Sequence, residues 1–227
     1  KDVTINLKCL ITLTSFKFLL LTNLCFGFDK DDLSRLLETN YCVECDLSDA
    51  NLEGLDLKGA DLSGSELSGA NLSGVNLIGA NISSSNLHAV DFRGTKLSGA
   101  NFENSNLEYA NFTGVKLNKV NFSLAFLLRA RFAHAKLIEV DLTGADLGGA
   151  NFYRAYLYRV NLRWARLDNS NFVQAIVAGE TNLNEADLSK ANLSEAEFNE
   201  TNLGRADISE AKLCNTKTPW GIDNTGC

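Results

Sequence analysis

Two cysteines three residues apart, in Cys42-Val43-Glu44-Cys45, form the tightest cluster in the sequence with a chemistry of its own. Such a pair can cycle between dithiol and disulfide, or supply half of a tetrahedral metal site. The redox motif wants a βαβ setting, which is absent here, and no second Cys-x-x-Cys or neighbouring His completes a zinc set. A structural disulfide or two quiet thiols is therefore the expectation at Cys42 and Cys45. His88 and His134 lie 46 positions apart, with no Cys, Asp or Glu at metal-ligand spacing beside either. No phosphate-binding glycine loop and no serine elbow occurs. The sequence thus points to a protein without catalytic residues, metal or cofactor.

Binding chemistry is better represented. From Lys116 to Asp168 the chain carries nine basic residues against four acidic ones, whereas residues 29–68 carry eleven acidic against three basic. Large aromatic side chains accompany the basic zone. The candidate partner-binding residues are Phe126, Arg129, Arg131, Lys136, Tyr153, Arg154, Tyr156, Tyr158, Arg159, Arg163, Trp164 and Arg166. Arginine with aromatic residues is the composition of interface hot spots. The zone suits an acidic protein partner or an anionic membrane surface, or its long side chains simply coat the protein.

What must position these residues is a repeat. From Cys45 to about Thr218 a Leu or Phe returns every fifth residue with a small residue two places before it, as in Ala50-Asn51-Leu52-Glu53-Gly54 and Ala60-Asp61-Leu62-Ser63-Gly64. A period of five fits neither the 3.6 of a helix nor the 2 of a strand, and a fixed repeat indicates a solenoid. The repeat centres run from Leu47 to Val177 and from Leu183 to Leu213, 34 units in all. Two residues per unit, the centre and the small residue before it, are expected inside, with three outside. With four units per square turn, positions twenty apart stack, so Lys96, Lys116, Lys136 and Tyr156 make one ladder and Tyr158 lies above Ile138. Gly two places after the centre supplies φ > 0 at the corners. Acidic pairs such as Asp141 and Asp146 follow from the repeat and need no catalytic explanation. The six-residue step from Val177 to Leu183, containing Ala178-Gly179-Glu180, reads as a bulge.

This (Ala)(Asp/Asn)(Leu/Phe)(x)(x) array, covering about three quarters of the chain, resembles the pentapeptide-repeat family. The resemblance implies an all-β solenoid, a right-handed quadrilateral parallel β-helix with a short N-terminal capping helix. It implies no single activity, because function lives in sites grafted on a fold.

The ends differ from the array. In residues 1–28, Lys1, Lys8 and Lys17 precede the apolar run Phe18 to Phe26, which is the order of a signal peptide. A retained membrane anchor and a strand are the other readings of that segment. Lys17 counts against a span, since a central charge costs roughly 3 kcal/mol on insertion scales. Residues 29–44 read as a capped helix and junction closing the first coil, residues 45–218 as the β-helix and residues 219–227 as a closing segment. The stretch from Leu36 to Leu47 and the segment from Cys214 to Cys227 resemble the ends of secreted cyanobacterial and thylakoid-lumen members of the family. That likeness implies an exported location, in a thylakoid lumen or a periplasm, and a Cys214–Cys227 disulfide.

The expected function is a non-catalytic binding or structural solenoid in an exported compartment, with a protein partner of unknown identity, a membrane complex among the candidates. An alternative is a lumenal subunit docked on a photosynthetic membrane complex through residues 1–28. A third reading is a DNA-mimic inhibitor of a type II topoisomerase, as some family members resemble duplex DNA in shape and charge. Net charge −7 permits it, but the positive middle breaks any continuous acidic face. Binding of nucleic acid itself is not expected.

Overall fold

The structure, a computed structural model, describes residues 27–227. The signal-or-anchor reading of residues 1–28 lies almost entirely outside the described residues. Among the described residues no helix is long and apolar enough to cross a membrane.

Helix α1 spans Lys30–Thr39. Asp29 caps it by accepting hydrogen bonds from the backbone N–H groups of Asp31 and Asp32, and Asn40, in the left-handed region, returns its N–H to the Leu36 carbonyl. Leu36 is buried against the first coil, so the helix closes an end that would otherwise expose axis residues.

Every fifth residue then turns a corner. Parallel bridges join residues twenty apart, and the first wall rises through Tyr41, Asp61, Asn81, Asn101, Asn121, Asp141, Asn161, Asn182 and Asn202. The second wall holds Asp46, Glu66, Asn106, Phe126, Asp146 and Arg166; the third holds Asp91, Asn111, Arg131, Asn151 and Asn171. The fourth wall begins with Asp56, Asn76 and Lys96 and is the most regular. It contains strands β1 (Lys116–Asn118), β2 (Lys136–Ile138), β3 (Tyr156–Tyr158), β4 (Ile176–Ala178), β5 (Glu197–Phe198) and β6 (Thr216–Thr218), all parallel. An antiparallel β7 (Gly221–Asp223) folds back on β6 and ends the sheet. Lys116 pairs with Lys136, Lys136 with Tyr156, and Tyr158 with Ile138, as the twenty-residue stacking predicts.

The inside follows the two-in, three-out pattern. Repeat centres and the small residues before them are buried through most of the array. Inside the third wall, Phe92, Phe112, Phe132, Phe152 and Phe172 form a column of parallel rings, with centroids 4.6–5.0 Å apart. Phe102 and Phe122 stack inside the opposite first wall and meet that column edge-on. Rings repeat at the strand spacing because one coil rises about 4.8 Å, close to the stacking distance of aromatics.

Many polar residues of the repeat are satisfied by the same period, the buried Ser170 hydroxyl being an exception. Asn71, Asn81, Asn101 and Asn121 each donate from the side-chain amide to the residue one coil below, at 2.9–3.2 Å. Their side-chain oxygens accept the N–H two residues on, which tightens each corner. Asp141 and Asp146 do the same to Thr143 and Gly148, which accounts for both without chemistry. Inward Ser65, Ser85 and Ser105 donate to carbonyls of the coil below, and the N–H of Cys45 donates to Ser65.

The bulge lies where the sequence places it, with Gly179 and Glu180 both at φ 66° and coil pairing lengthened by one residue from Asn161 to Asn182. Thr181 turns inward there, donating to the Ala178 carbonyl and accepting from the Val160 N–H. The corners depart from expectation in one respect. Glycines such as Gly54, Gly64 and Gly144 do hold φ near +65° to +70°, but Tyr109, Leu124, Arg129, Arg154, Arg159 and Trp164 occupy the same left-handed region at φ 53–61°. The repeat geometry sets the corner conformation whatever residue stands there.

Candidate functional site

The twelve candidate residues are brought onto the middle coils but not onto one face. Lys136, Tyr156 and Tyr158 stand on the fourth wall. Arg131 and Tyr153 belong to the third wall, Arg154 to its corner with the fourth, and Arg159 to the corner between the fourth and first. Arg163 and Trp164 follow at the end of the first wall. Phe126 and Arg166 occupy the second wall, opposite Tyr156, and Arg129 its corner with the third.

Charge pairing divides these groups further. Arg166 is engaged by Asp146 at 2.8 Å and by Asp168 at 3.3 Å, and Arg163 lies 3.5 Å from Glu185. The Trp164 indole N–H donates to Glu185 and, with Arg163 and Asn184 adding to it, holds that carboxyl below its usual range. Arg163 also lies 3.9 Å from the Trp164 ring centroid. Arg154 donates to Gln174. Arg163 and Arg166, on the first and second walls, are thus neutralised locally.

The fourth wall differs. Lys116 and Lys136 stand exposed on consecutive coils about 4.8 Å apart, with no ion pair between either one and an acidic residue among the described residues. Lys119 beside them is spanned by Glu139 at 3.6 Å. Next up the wall, Tyr156 and Tyr158 have parallel rings 6.2 Å apart, Arg159 lies 5.3 Å from the Tyr158 ring, and Ile176 is exposed. A side chain at Gly179 would collide with the Tyr158 ring, so the bulge glycine seats that tyrosine. The composite is a strip of cations running into a flat aromatic platform.

Three features escape the sequence reading. Leu124 and Ile176 are exposed apolar side chains, because the residues flanking each centre face outward whatever their type. At the far end, Leu203 and Ile208 are only partly buried and line a cleft of about 300 Å³ with Thr201, Gly204, Ala206, Pro219 and Trp220. Arg35 of α1 reaches Cys45, a contact that sequence spacing gives no means to see.

Both cysteine pairs are bonded, Cys42 to Cys45 with Cα atoms 5.5 Å apart and Cys214 to Cys227 at 5.0 Å, within the usual span of a disulfide. The donor group among the described residues compact enough to share a cation is Asp32, Cys42 and Cys45. Its sulfurs are bonded to each other and the Asp32 carboxylate is taken by Arg35 and by the N–H of Asp46. Mass spectrometry of non-reduced, alkylated protein is expected to find Cys42, Cys45, Cys214 and Cys227 all blocked from alkylation. Alkylated Cys214 and Cys227 would contradict the bonded C-terminal closure.

Among solved structures, HetL, a pentapeptide repeat protein involved in heterocyst differentiation regulation from the cyanobacterium Nostoc sp. strain PCC 7120, aligns with 26% identity, a TM-score of 0.42, and coverage of 77% of this chain and 90% of its own. Full-length QnrB1, a plasmid-mediated fluoroquinolone resistance protein, aligns with 16% identity and a TM-score of 0.54 over 71% of this chain and 90% of its own, which shows likeness of fold alone. A pentapeptide repeat protein of the Arabidopsis thaliana thylakoid lumen aligns at 23% identity and a TM-score of 0.22, covering 51% of this chain and 66% of its own. No curated protein matches the chain. Pentapeptide repeats match in eight copies over residues 45–83, 85–123, 135–174 and 180–217, more than half of the sequence. With a five-residue register that buries two side chains per unit and stacks every twentieth residue, the chain belongs to the pentapeptide-repeat family.

Proposed function

We propose that this solenoid is a non-catalytic interaction scaffold whose fourth wall receives an acidic protein partner. The observation that carries this reading is the strip of Lys116 and Lys136 leading into Tyr156 and Tyr158. Like charges stacked one coil apart repel, and an acidic partner relieves that repulsion while the tyrosines lose water on contact. Tyr153, Arg154 and Arg159 border the strip and Arg131 flanks it. Phe126, Arg129, Arg163, Trp164 and Arg166 would form a separate contact on the first and second walls, away from the strip. Two bonded cysteine pairs favour an oxidising, exported compartment such as a thylakoid lumen or periplasm. The apolar run in residues 1–28 fits export, or an anchor that would set the scaffold on a membrane complex. A topoisomerase-inhibiting DNA mimic is disfavoured by the cationic wall.

The test compares full-length wild type with Lys116→Glu/Lys136→Glu in cross-linking and mass spectrometry on native soluble and membrane fractions. The wild type is expected to capture an acidic protein in a salt-sensitive way, and the variant to lose it by tenfold or more while melting at the same temperature. Equal recovery by both proteins would leave the fourth wall as a mere coat.

A further inference from the structure

The Cys42–Cys45 bond is placed for reversal. Its two sulfurs sit beneath α1, Cys42 fully buried and Cys45 nearly so. On one side the Arg35 guanidinium donates to Cys45 Sγ at 2.8 Å. On the other, Cys42 Sγ lies 3.1 Å from the Asp32 carbonyl oxygen. A cation facing one sulfur and a carbonyl facing the other sort the two reduced forms. Cys45 is favoured as the thiolate, stabilised by Arg35, and Cys42 as the thiol, able to donate its S–H to Asp32. Asp32 fixes this arrangement, because its carboxylate pairs with Arg35 at 2.7 Å and also accepts the Asp46 N–H. The same guanidinium disfavours a divalent cation between these sulfurs, so redox exchange suits the site better than metal binding.

We propose that Cys42–Cys45 is a reversible dithiol/disulfide couple that exchanges with an external dithiol, with Cys45 as the leaving thiolate. A thiolate of the reductant attacks Cys42 Sγ; the Cys42–Cys45 bond breaks and Cys45 departs with the electron pair, held by Arg35. The second thiol of the reductant loses its proton to solvent and attacks its own sulfur in the mixed disulfide. Cys42 then leaves as a thiolate and takes a proton from water. Two electrons have passed from the dithiol to the protein, and the reductant ends as a disulfide. Stabilising the reduced form makes a disulfide more readily reduced, and a bond closing so short a loop adds little constraint to the unfolded chain. Access comes from local lifting of α1, a single ten-residue helix at the edge of the solenoid whose one buried residue is Leu36.

The experiment equilibrates the full chain with graded ratios of reduced to oxidised dithiothreitol, quenches with acid, alkylates, and reads each cysteine by peptide mass spectrometry. In wild type Cys42–Cys45 is expected to reduce cooperatively while the fold persists. In Arg35→Gln its midpoint should move about tenfold toward more reducing ratios, the worth of a hydrogen bond to a charged group, with Arg35→Lys in between. The Cys214–Cys227 midpoint should stay fixed in all three proteins, which separates a local effect from general destabilisation, and a melting curve checks that Arg35→Gln keeps the fold. With glutathione as reductant and early quenching, the mixed disulfide should appear on Cys42. An Arg35→Gln midpoint within twofold of wild type, a Cys42–Cys45 bond that yields only when the chain unfolds, or a mixed disulfide on Cys45 would each overturn the proposal.

Discussion

Phe112→Asp is expected to abolish the folded solenoid, while Phe126→Asp is expected to melt within about 1 kcal/mol of wild type. Both changes place the same carboxylate for the same ring on coils that follow one another. Phe112 is fully buried, stacked 4.6 Å from Phe92 and 5.0 Å from Phe132 and edge-on to Phe122. Removing the ring alone costs about 3–5 kcal/mol, and an unpaired charge in the axis adds several more. That sum reaches the whole stability of an ordinary domain, about 5–15 kcal/mol. Phe126, by contrast, stands one place before its repeat centre and is half exposed. Urea melts followed by circular dichroism decide the matter. A Phe112→Asp protein with a normal cooperative transition would mean that the register of the coil is wrong.

The axis was legible because it is written in residue type. Leu and Phe at every fifth place and small residues two before them map directly onto the buried columns, and twenty-residue stacking follows from four corners per turn. The surface was legible only in part. Charge and aromatic content marked the middle coils, yet the count could not say which arginines are cancelled; Arg166 meets Asp146 one coil below and Arg163 meets Glu185 one coil above. Such pairs join residues about twenty apart, and their geometry depends on side-chain direction that a list of residues does not carry. The far end was misleading for another reason. Leu203 and Ile208 keep the repeat, but among the described residues no coil covers them, so the same residue type that is buried at Leu183 lines an open cleft at Leu203. Arg35 was hidden because a helix residue reaches Cys45 through the docking of α1, which sequence spacing does not encode.

Corner chemistry yields the other large effect, and it separates stability from binding. Tyr109, Leu124 and Trp164 hold φ of 57–61°, where Gly stands at equivalent corners such as Gly144. Bulky L residues are held in this region at a cost of roughly 1–2 kcal/mol each. The triple change Tyr109→Gly/Leu124→Gly/Trp164→Gly should therefore stabilise the protein by about 2–3 kcal/mol, discounted for the extra freedom of glycine in the unfolded chain. The three corners lie on different coils, which makes near-additivity the expectation. Trp164 gives up most in return, its indole bond to Glu185 and the Arg163 guanidinium over its ring, both half-exposed contacts of small worth. If the strain is retained because Trp164 contacts a partner around the corner from the lysine wall, Trp164→Gly should weaken that capture by about 2 kcal/mol while raising the urea midpoint. A triple variant less stable than wild type would show that these corners are set by side-chain packing; a stabilised Trp164→Gly that binds as before would assign the corner no part in recognition.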